Sequence, residues 1–396
     1  MKKLWKLPNN DLKKRVEIKL RDIVEYLVNI ENKDKYPPCL MSGNMGIAIF
    51  LFYYARYTQN EYYAEQAMFF LESSINTING NFNPSFCNGI SGICWGIQHL
   101  IANQFLENDS TDILKSFDTN LSTHVITYAS LNYFDYLHGA IGIAIYLLKK
   151  INSNNIRACE NKIIDILSSS KININNKGCY WESKIGEKIN ISLSHGLASI
   201  CIFLAKAYQL NINSSKTKDL LNKSITFLLS QEIQIPNRIS IFPSFSLYED
   251  HYHSSRLGWC YGDLGIALAL WHYANIFKDS NIKQKAIEIF LFSALRKNLH
   301  STAVIDGSIC HGSAGIALIF KKMYYYTQRE EFREASTYWL SQTLKMSKYE
   351  DGIVGYKSNG EKNSIDFLNG ITGIGMVLLS FLTNENSIWD ECLLLS

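Results

Sequence analysis

"GWCYGDLGIAL" occupies residues 258–268, and "ICHGSAGIAL" follows at 309–318. Each stretch sets a cysteine, Cys260 or Cys310, two places before the first glycine of a G-x-x-G-I-A-L run. A motif that recurs at a long period is the mark of a repeat architecture, so the rest of the chain is read in the same register.

The theme occurs seven times. "SGNMGIAIFLF" begins at Ser42, "NGISGICWGI" at Asn88 and "HGAIGIAIYLL" at His138. "HGLASICIFLA" begins at His195, "YGDLGIALALW" at Tyr261, "HGSAGIALIF" at His311 and "NGITGIGMVLL" at Asn369. The first glycines, Gly43, Gly89, Gly139, Gly196, Gly262, Gly312 and Gly370, follow one another at 46 to 66 residues. The fourth copy carries Ser199 in place of the second glycine. Each copy opens an apolar stretch of roughly 10–15 residues without turn residues, too long for a typical strand and so predicted to be a buried helix. Between the copies lie stretches such as "DLKKRVEIKLRDIVEYLVNI" (11–30) and "SKTKDLLNKSITFLLSQ" (215–231), whose apolar residues recur at helical spacing among lysines and glutamates. These are predicted to be helices with one buried and one wet face.

Apolar helices need cover on every side, and amphipathic helices supply one covering face. Seven of each are satisfied by an all-α closed double ring, an α,α-toroid with seven inner and seven outer helices. An open solenoid would require polar terminal repeats, whereas the first and last copies here are as apolar as the middle ones. The glycines are expected where inner helix starts crowd together and a Cβ would clash. Residues 1–396 read as one such unit. The segments 172–194 and 232–257 are longer than the other connections and strand-like in places, as in "ISIFPSF" (239–245), so they are either long loops or a small insert.

Bulk properties narrow the function. Of the 396 residues, 47% are hydrophobic, enough for a large core, and the net charge is only +3. No basic tract interleaved with aromatics occurs, which argues against a nucleic-acid partner. Apolar runs such as "GIAIFLFYYA" (46–55) fall well short of the roughly 20 residues that span a bilayer. The positive start "MKKLWKLPNNDLKKRVEIK" lacks the apolar core of a secretory signal. Nine cysteines, an odd number scattered among apolar residues, suit reduced thiols in the cytoplasm.

If the copies are related by rotation, equal offsets lie at equal heights, and all the glycine-rich starts share one rim. That rim gathers His138, His195, Cys260 with Tyr261, and Cys310 with His311. Asp135 lies four residues before Gly139, and Arg256 four before Cys260. Cys260, Cys310 and His311 come from neighbouring copies, and two thiolates with one imidazole suit a single zinc ion with a fourth position open, as in catalytic zinc sites. Cys87 shares the offset but belongs to a copy across the ring, too far to join them. The competing reading is plain: free cysteines are common small core residues, and aspartate or histidine at a helix start can be a cap. His138, His251 and His253 are assigned no role.

The motifs "WCYG", "CHGSAG", "SHGLAS" and the repeated G-x-x-G-I resemble those of the LanC lanthipeptide (lantibiotic) cyclases, over essentially the whole chain. The resemblance implies the same α,α-toroid. It implies one Zn2+ held by Cys260, Cys310 and His311, a catalytic Asp135 and His195, and supporting Arg256 and Tyr261. The implied reaction is Michael-type addition of a peptide cysteine thiol to dehydroalanine or dehydrobutyrine, forming a thioether ring in a dehydrated ribosomal precursor peptide. A dehydratase would supply that substrate, and both it and an exporter are implied partners that would bring a cytoplasmic enzyme to the inner face of the membrane. Two other readings stay open: a LanC-like enzyme that adds glutathione to dehydroamino acids in proteins, and a non-catalytic zinc-containing peptide-binding scaffold. Zinc-bearing toroids of the protein prenyltransferase kind lack the "CHG" motif.

Overall fold

The computed structural model describes residues 5–32, 35–76, 83–107, 111–249, 253–383 and 388–396. Long helices dominate it. In chain order they are α1 (Asn10–Val28), α2 (Asn44–Thr58), α3 (Glu61–Asn76), α4 (Ile90–Ala102), α5 (Thr111–Ser130), α6 (Ala140–Leu148) and α7 (Asn154–Ser170). There follow α8 (Leu197–Gln209), α9 (Ser214–Leu229), α10 (Asp263–Phe277), α11 (Ser280–Leu295), the single turn α12 (Leu299–Thr302), α13 (Ser313–Thr327), α14 (Glu330–Lys345) and α15 (Ile371–Leu382).

The seven apolar copies are α2, α4, α6, α8, α10, α13 and α15, and they form the inner layer. Every residue of α6 is buried, which its run of Ala, Ile and Leu requires. The outer helices bury a single stripe. In α7 it consists of Ile156, Cys159, Glu160, Ile163, Ile164 and Leu167, at three- and four-residue steps. Outer helices pack on the inner helices they follow, as α3 does on α2 and α14 on α13. The first outer helix, α1, packs instead on the last inner helix, α15, which also touches α2. The ring therefore closes in both layers, as the repeat pattern predicts. Among the described residues no helix is long and apolar enough to cross a membrane.

Backbone bonds between the glycine-rich loops trace the same closure. All of them join residues near the offset two before the first glycine. The N–H of Met41 donates to Cys87 O (3.2 Å), Cys87 to Leu137 O (2.8 Å), and Ser194 to Cys260 O (3.2 Å). Cys260 then donates to Cys310 O (3.1 Å), Cys310 to Leu368 O (3.0 Å), and Leu368 back to Met41 O (3.0 Å). One rim is thus a hydrogen-bonded chain in which the two motif cysteines are consecutive links.

The structure revises the reason for the glycines. A Cβ on Gly43 would lie 1.7 Å from Pro37 O, in its own loop, so the first glycine lets that loop fold back over the helix start. The second glycine also faces the next copy: a Cβ on Gly46 would meet Phe367 Cβ, from the seventh copy, at 2.8 Å. In the fourth copy Ser199 is accommodated, its hydroxyl donating to Gly196 O at 2.8 Å.

The long connections contain little sheet. Strands β1 (Ile172–Ile174) and β2 (Gly178–Tyr180) form a small antiparallel hairpin packed on α9. "ISIFPSF" is not a strand, contrary to its pattern. Its N–H groups at Ile241 and Phe242 donate to the Asp263 carboxylate at 3.2 and 2.8 Å, so a side chain takes the bonds a ladder would need.

One element had no counterpart in the repeat pattern. After α15 the chain forms a 3-10 helix, Ile388–Leu393, that enters the ring with Trp389, Cys392, Leu393, Leu394 and Leu395 buried. Its carbonyls accept from residues of different copies: Cys392 O from Tyr136 Oη (2.7 Å) and Leu393 O from Trp259 Nε1 (2.7 Å). Asp390 pairs with Lys322 at 2.7 Å and Glu391 with Lys149 at 2.5 Å. The segment is a plug tying the third, fifth and sixth copies together from inside.

Candidate active site

Cys260 and Cys310 occupy consecutive links of the rim, so the bond from Cys260 N to Cys310 O fixes their spacing. Gly262, which closes the "WCYG" turn, has φ +85°, a backbone region that L side chains rarely adopt. The Sγ atoms of Cys260 and Cys310 and one ring nitrogen of His311 all lie within 4.8 Å of one another. Among the described residues no other group of three or more His, Cys, Asp or Glu side chains meets the same spacing. Cys87 stays outside the cluster, as its place across the ring requires. Cys39, Cys94, Cys159, Cys179, Cys201 and Cys392 are all free and buried.

The cluster's electrostatics favour ionised sulfur. A hydrogen bond from Cys310 is the main cause that pulls the Cys260 thiol far below the ordinary range, ahead of opposing burial and of His311 and Arg256. The same hydrogen bond raises the Cys310 thiol well above the ordinary range, with burial and the charge on Cys260 adding to it, so one proton stays between the two sulfurs. Burial opposes charge on His311, but Asp306 and Cys260 outweigh it and lift the imidazole to about 9. Such a thiolate-rich, nitrogen-completed set from rigid loops fits a zinc ion in donor chemistry and number. His311 Nε2 is buried and lies 3.2 Å from Asp306 Oδ2 without a well-aligned hydrogen bond.

Asp135 and His195 also meet. Asp135 is 3% exposed, and its Oδ2 lies 2.7 Å from His195 Nδ1. Its Oδ1 accepts the backbone N–H of His138 at 2.7 Å. The carboxylate is thereby aimed at the imidazole, which leaves His195 Nε2 as the nitrogen that does not face Asp135. The dyad adjoins the cysteine pair, since Ser194 donates N–H and Oγ–H to Cys260 O, each at 3.2 Å. Tyr261 stands between them: its ring centroid is 6.2 Å from that of His195, Phe245 packs edge-on against it, and Asn190 Nδ2 reaches its hydroxyl at 3.5 Å. Burial raises the Tyr261 phenol, so it stays a neutral donor. Arg256 is exposed, and its charge acts on both thiols.

Three features escaped the sequence reading. His138 is stacked on His195, with centroids 5.8 Å apart and planes 13° from parallel, and burial lowers its pKa. Asp306 lies 3.2 Å from His311 Nε2. Arg296, behind the "WCYG" loop, bonds Asp263 at 3.0 Å and Ser255 O at 2.6 Å in a buried pair. His253 is exposed, and His251 lies outside the described residues.

The closed double ring, the "WCYG" and "CHG" loops and the thiol–imidazole cluster define a class, and sequence comparison agrees. Residues 34–394 match the profile of the lanthionine synthetase C-like proteins, and the chain belongs to that family. Nisin biosynthesis protein NisC of Lactococcus lactis subsp. lactis is 24% identical over 399 residues, covering 93% of this chain and 91% of that protein. The solved structure of nisin cyclase superposes with a TM-score of 0.73 at 21% identity, covering 98% of both chains, and so shares the fold.

Proposed function

We propose that the protein is a zinc-dependent lanthipeptide cyclase that closes thioether rings in a dehydrated precursor peptide. The observation that carries this reading is the approach of two thiols and an imidazole from neighbouring copies to within 4.8 Å, on the rim that also holds the Asp135–His195 pair. Cys260, Cys310 and His311 would hold the metal. When bound, zinc lowers the pKa of a coordinated thiol enough to deprotonate it at neutral pH, where a free thiol near 8.5 is mostly protonated.

The remaining work falls to the chain. The substrate thiolate adds to the β-carbon of the dehydroamino acid, a carbon–sulfur bond forms, and the π electrons move onto the carbonyl oxygen as an enolate. Arg256, whose charge reaches both cysteines, supplies the cation for that developing oxyanion. His195 delivers a proton to the α-carbon, restoring the carbonyl. Asp135, bonded to Nδ1, orients the ring so that Nε2 faces the substrate, the role a carboxylate plays behind an imidazole acid–base. Tyr261 positions the peptide from between the dyad and the thiols. The net reaction is an isomerisation, with the thiol proton accounted for at the α-carbon.

The test is incubation with a peptide carrying one cysteine and one dehydroalanine. Loss of alkylatable thiol at unchanged mass, dependent on the protein, supports the assignment. Uptake of added glutathione with the peptide cysteine left free would instead mark an intermolecular thiol transferase. A thiol that stays alkylatable without glutathione uptake would leave a peptide-binding scaffold.

A further inference from the structure

Four of the seven copies solve the same turn with equivalent residues, and the one that differs in charge carries information. Six residues before the first glycine, Asn83 and Asn190 accept the N–H of the residue two further on through Oδ1, at 3.0 and 2.9 Å. In the last copy Ser364 does the same with its hydroxyl, at 3.2 Å. Asp306 is the equivalent residue of the sixth copy, and its Oδ1 accepts Ser308 N at 2.9 Å. A neutral amide or hydroxyl suffices for that turn in three other copies, so the turn does not explain a carboxylate that is 2% exposed.

The second oxygen does. Asp306 Oδ2 accepts Asn359 N at 2.7 Å and lies 3.2 Å from His311 Nε2. Both carboxylate oxygens are thus fixed by backbone donors, one in its own loop and one in the 351–363 connection. Gly312 confirms how closely the loop wraps it, since a Cβ there would meet Asp306 Oδ1 at 2.3 Å. The Nε2 atom is buried and has no other hydrogen-bond partner among the described residues. Asp135 is a parallel case: one oxygen serves the local turn and the other meets a rim histidine.

We propose that Asp306 is a positioning residue for the metal centre, holding His311 with a proton on Nε2 and so presenting Nδ1 to the ion. This rests on the zinc reading given above. Metal-bound histidines commonly donate their second nitrogen to a carboxylate, and loss of that partner weakens metal binding about ten- to a hundred-fold.

Asp306→Asn keeps the turn, as Asn83 and Asn190 do, but sets an amide nitrogen in place of Oδ2, so it removes the acceptor facing His311 Nε2 and, with it, the one facing Asn359 N. Release of zinc from the loaded protein to excess chelator is compared for wild type and variant. Release about ten-fold or more faster than wild type is the expected result, and the thermal midpoints of the metal-free forms read the lost Asn359 bond separately. Equal release rates would overturn the proposal. Nitrogen-15 NMR of the zinc-loaded wild type needs no variant. It should show His311 metallated at Nδ1 and protonated at Nε2, and metallation at Nε2 would equally overturn it. Wild-type protein that takes up no zinc would instead refute the metal reading itself, a separate outcome.

Discussion

The indole nitrogen of Trp259 donates a 2.7 Å hydrogen bond to the carbonyl of Leu393, 134 residues away and inside the ring. Trp259 immediately precedes Cys260 of the thiol–imidazole cluster, and Tyr136, which bonds Cys392 O at 2.7 Å, immediately follows Asp135. The plug thus braces the backbone next to both halves of the site. Tyr136→Phe removes one hydroxyl and leaves a buried carbonyl without its donor. A loss of about 1–3 kcal/mol is expected, visible as a lower denaturation midpoint. An unchanged midpoint would show that the bond contributes nothing net.

Cys310→Ala should abolish stoichiometric zinc and ring closure together while leaving the helical content intact. The cysteine sits in a loop whose rim bond is made by backbone atoms, Cys310 N to Leu368 O, so the substitution spares it. Metal analysis and far-ultraviolet circular dichroism on one sample check this. Normal cyclisation by the metal-free variant would refute zinc activation.

Asp135→Asn should keep zinc and lower turnover by roughly 10²–10⁴-fold, the usual range for general acid–base catalysis. The turn bond from His138 N survives, since asparagine oxygen accepts as well as carboxylate does. Lost zinc in this variant would make the dyad part of the metal centre. Unimpaired turnover would remove it from the mechanism.

Glu160 in α7 is fully buried with neither oxygen hydrogen-bonded, and burial alone holds its carboxyl well above the ordinary range. The folded state keeps the proton that the unfolded chain releases near pH 4.3. Stability is therefore full below that pH and falls as pH rises, by about 1.4 kcal/mol per unit from this group until its folded pKa is reached. Glu160→Gln should raise the denaturation midpoint more at pH 8 than at pH 5. An equal change at both would show that the carboxyl is not protonated in the folded protein.

Much of this molecule is legible in its sequence because rotation turns equal offsets into equal positions. That is why Cys260, Cys310 and His311 could be grouped at a distance of fifty residues, and why Asp135 and His195 fell on one rim. What stayed hidden depends on contacts between copies. "IWDECLLLS" has no helical period to betray a plug, and its partners are scattered through several copies. His138 looks like any helix-start histidine until the next copy brings His195 against its face. Asp306 looks like a turn residue, and only its charge sets it apart from Asn83 and Asn190. "ISIFPSF" alternates like a strand, yet the buried Asp263 carboxylate captures its amides.

The most direct test of the central claim is zinc K-edge X-ray absorption on the protein as purified. The account expects one zinc per chain, with two sulfur neighbours at about 2.3 Å and two nitrogen or oxygen neighbours at about 2.0–2.1 Å, one of the latter an exchangeable water. Absence of zinc, or a fourth protein ligand in the water's place, would contradict it.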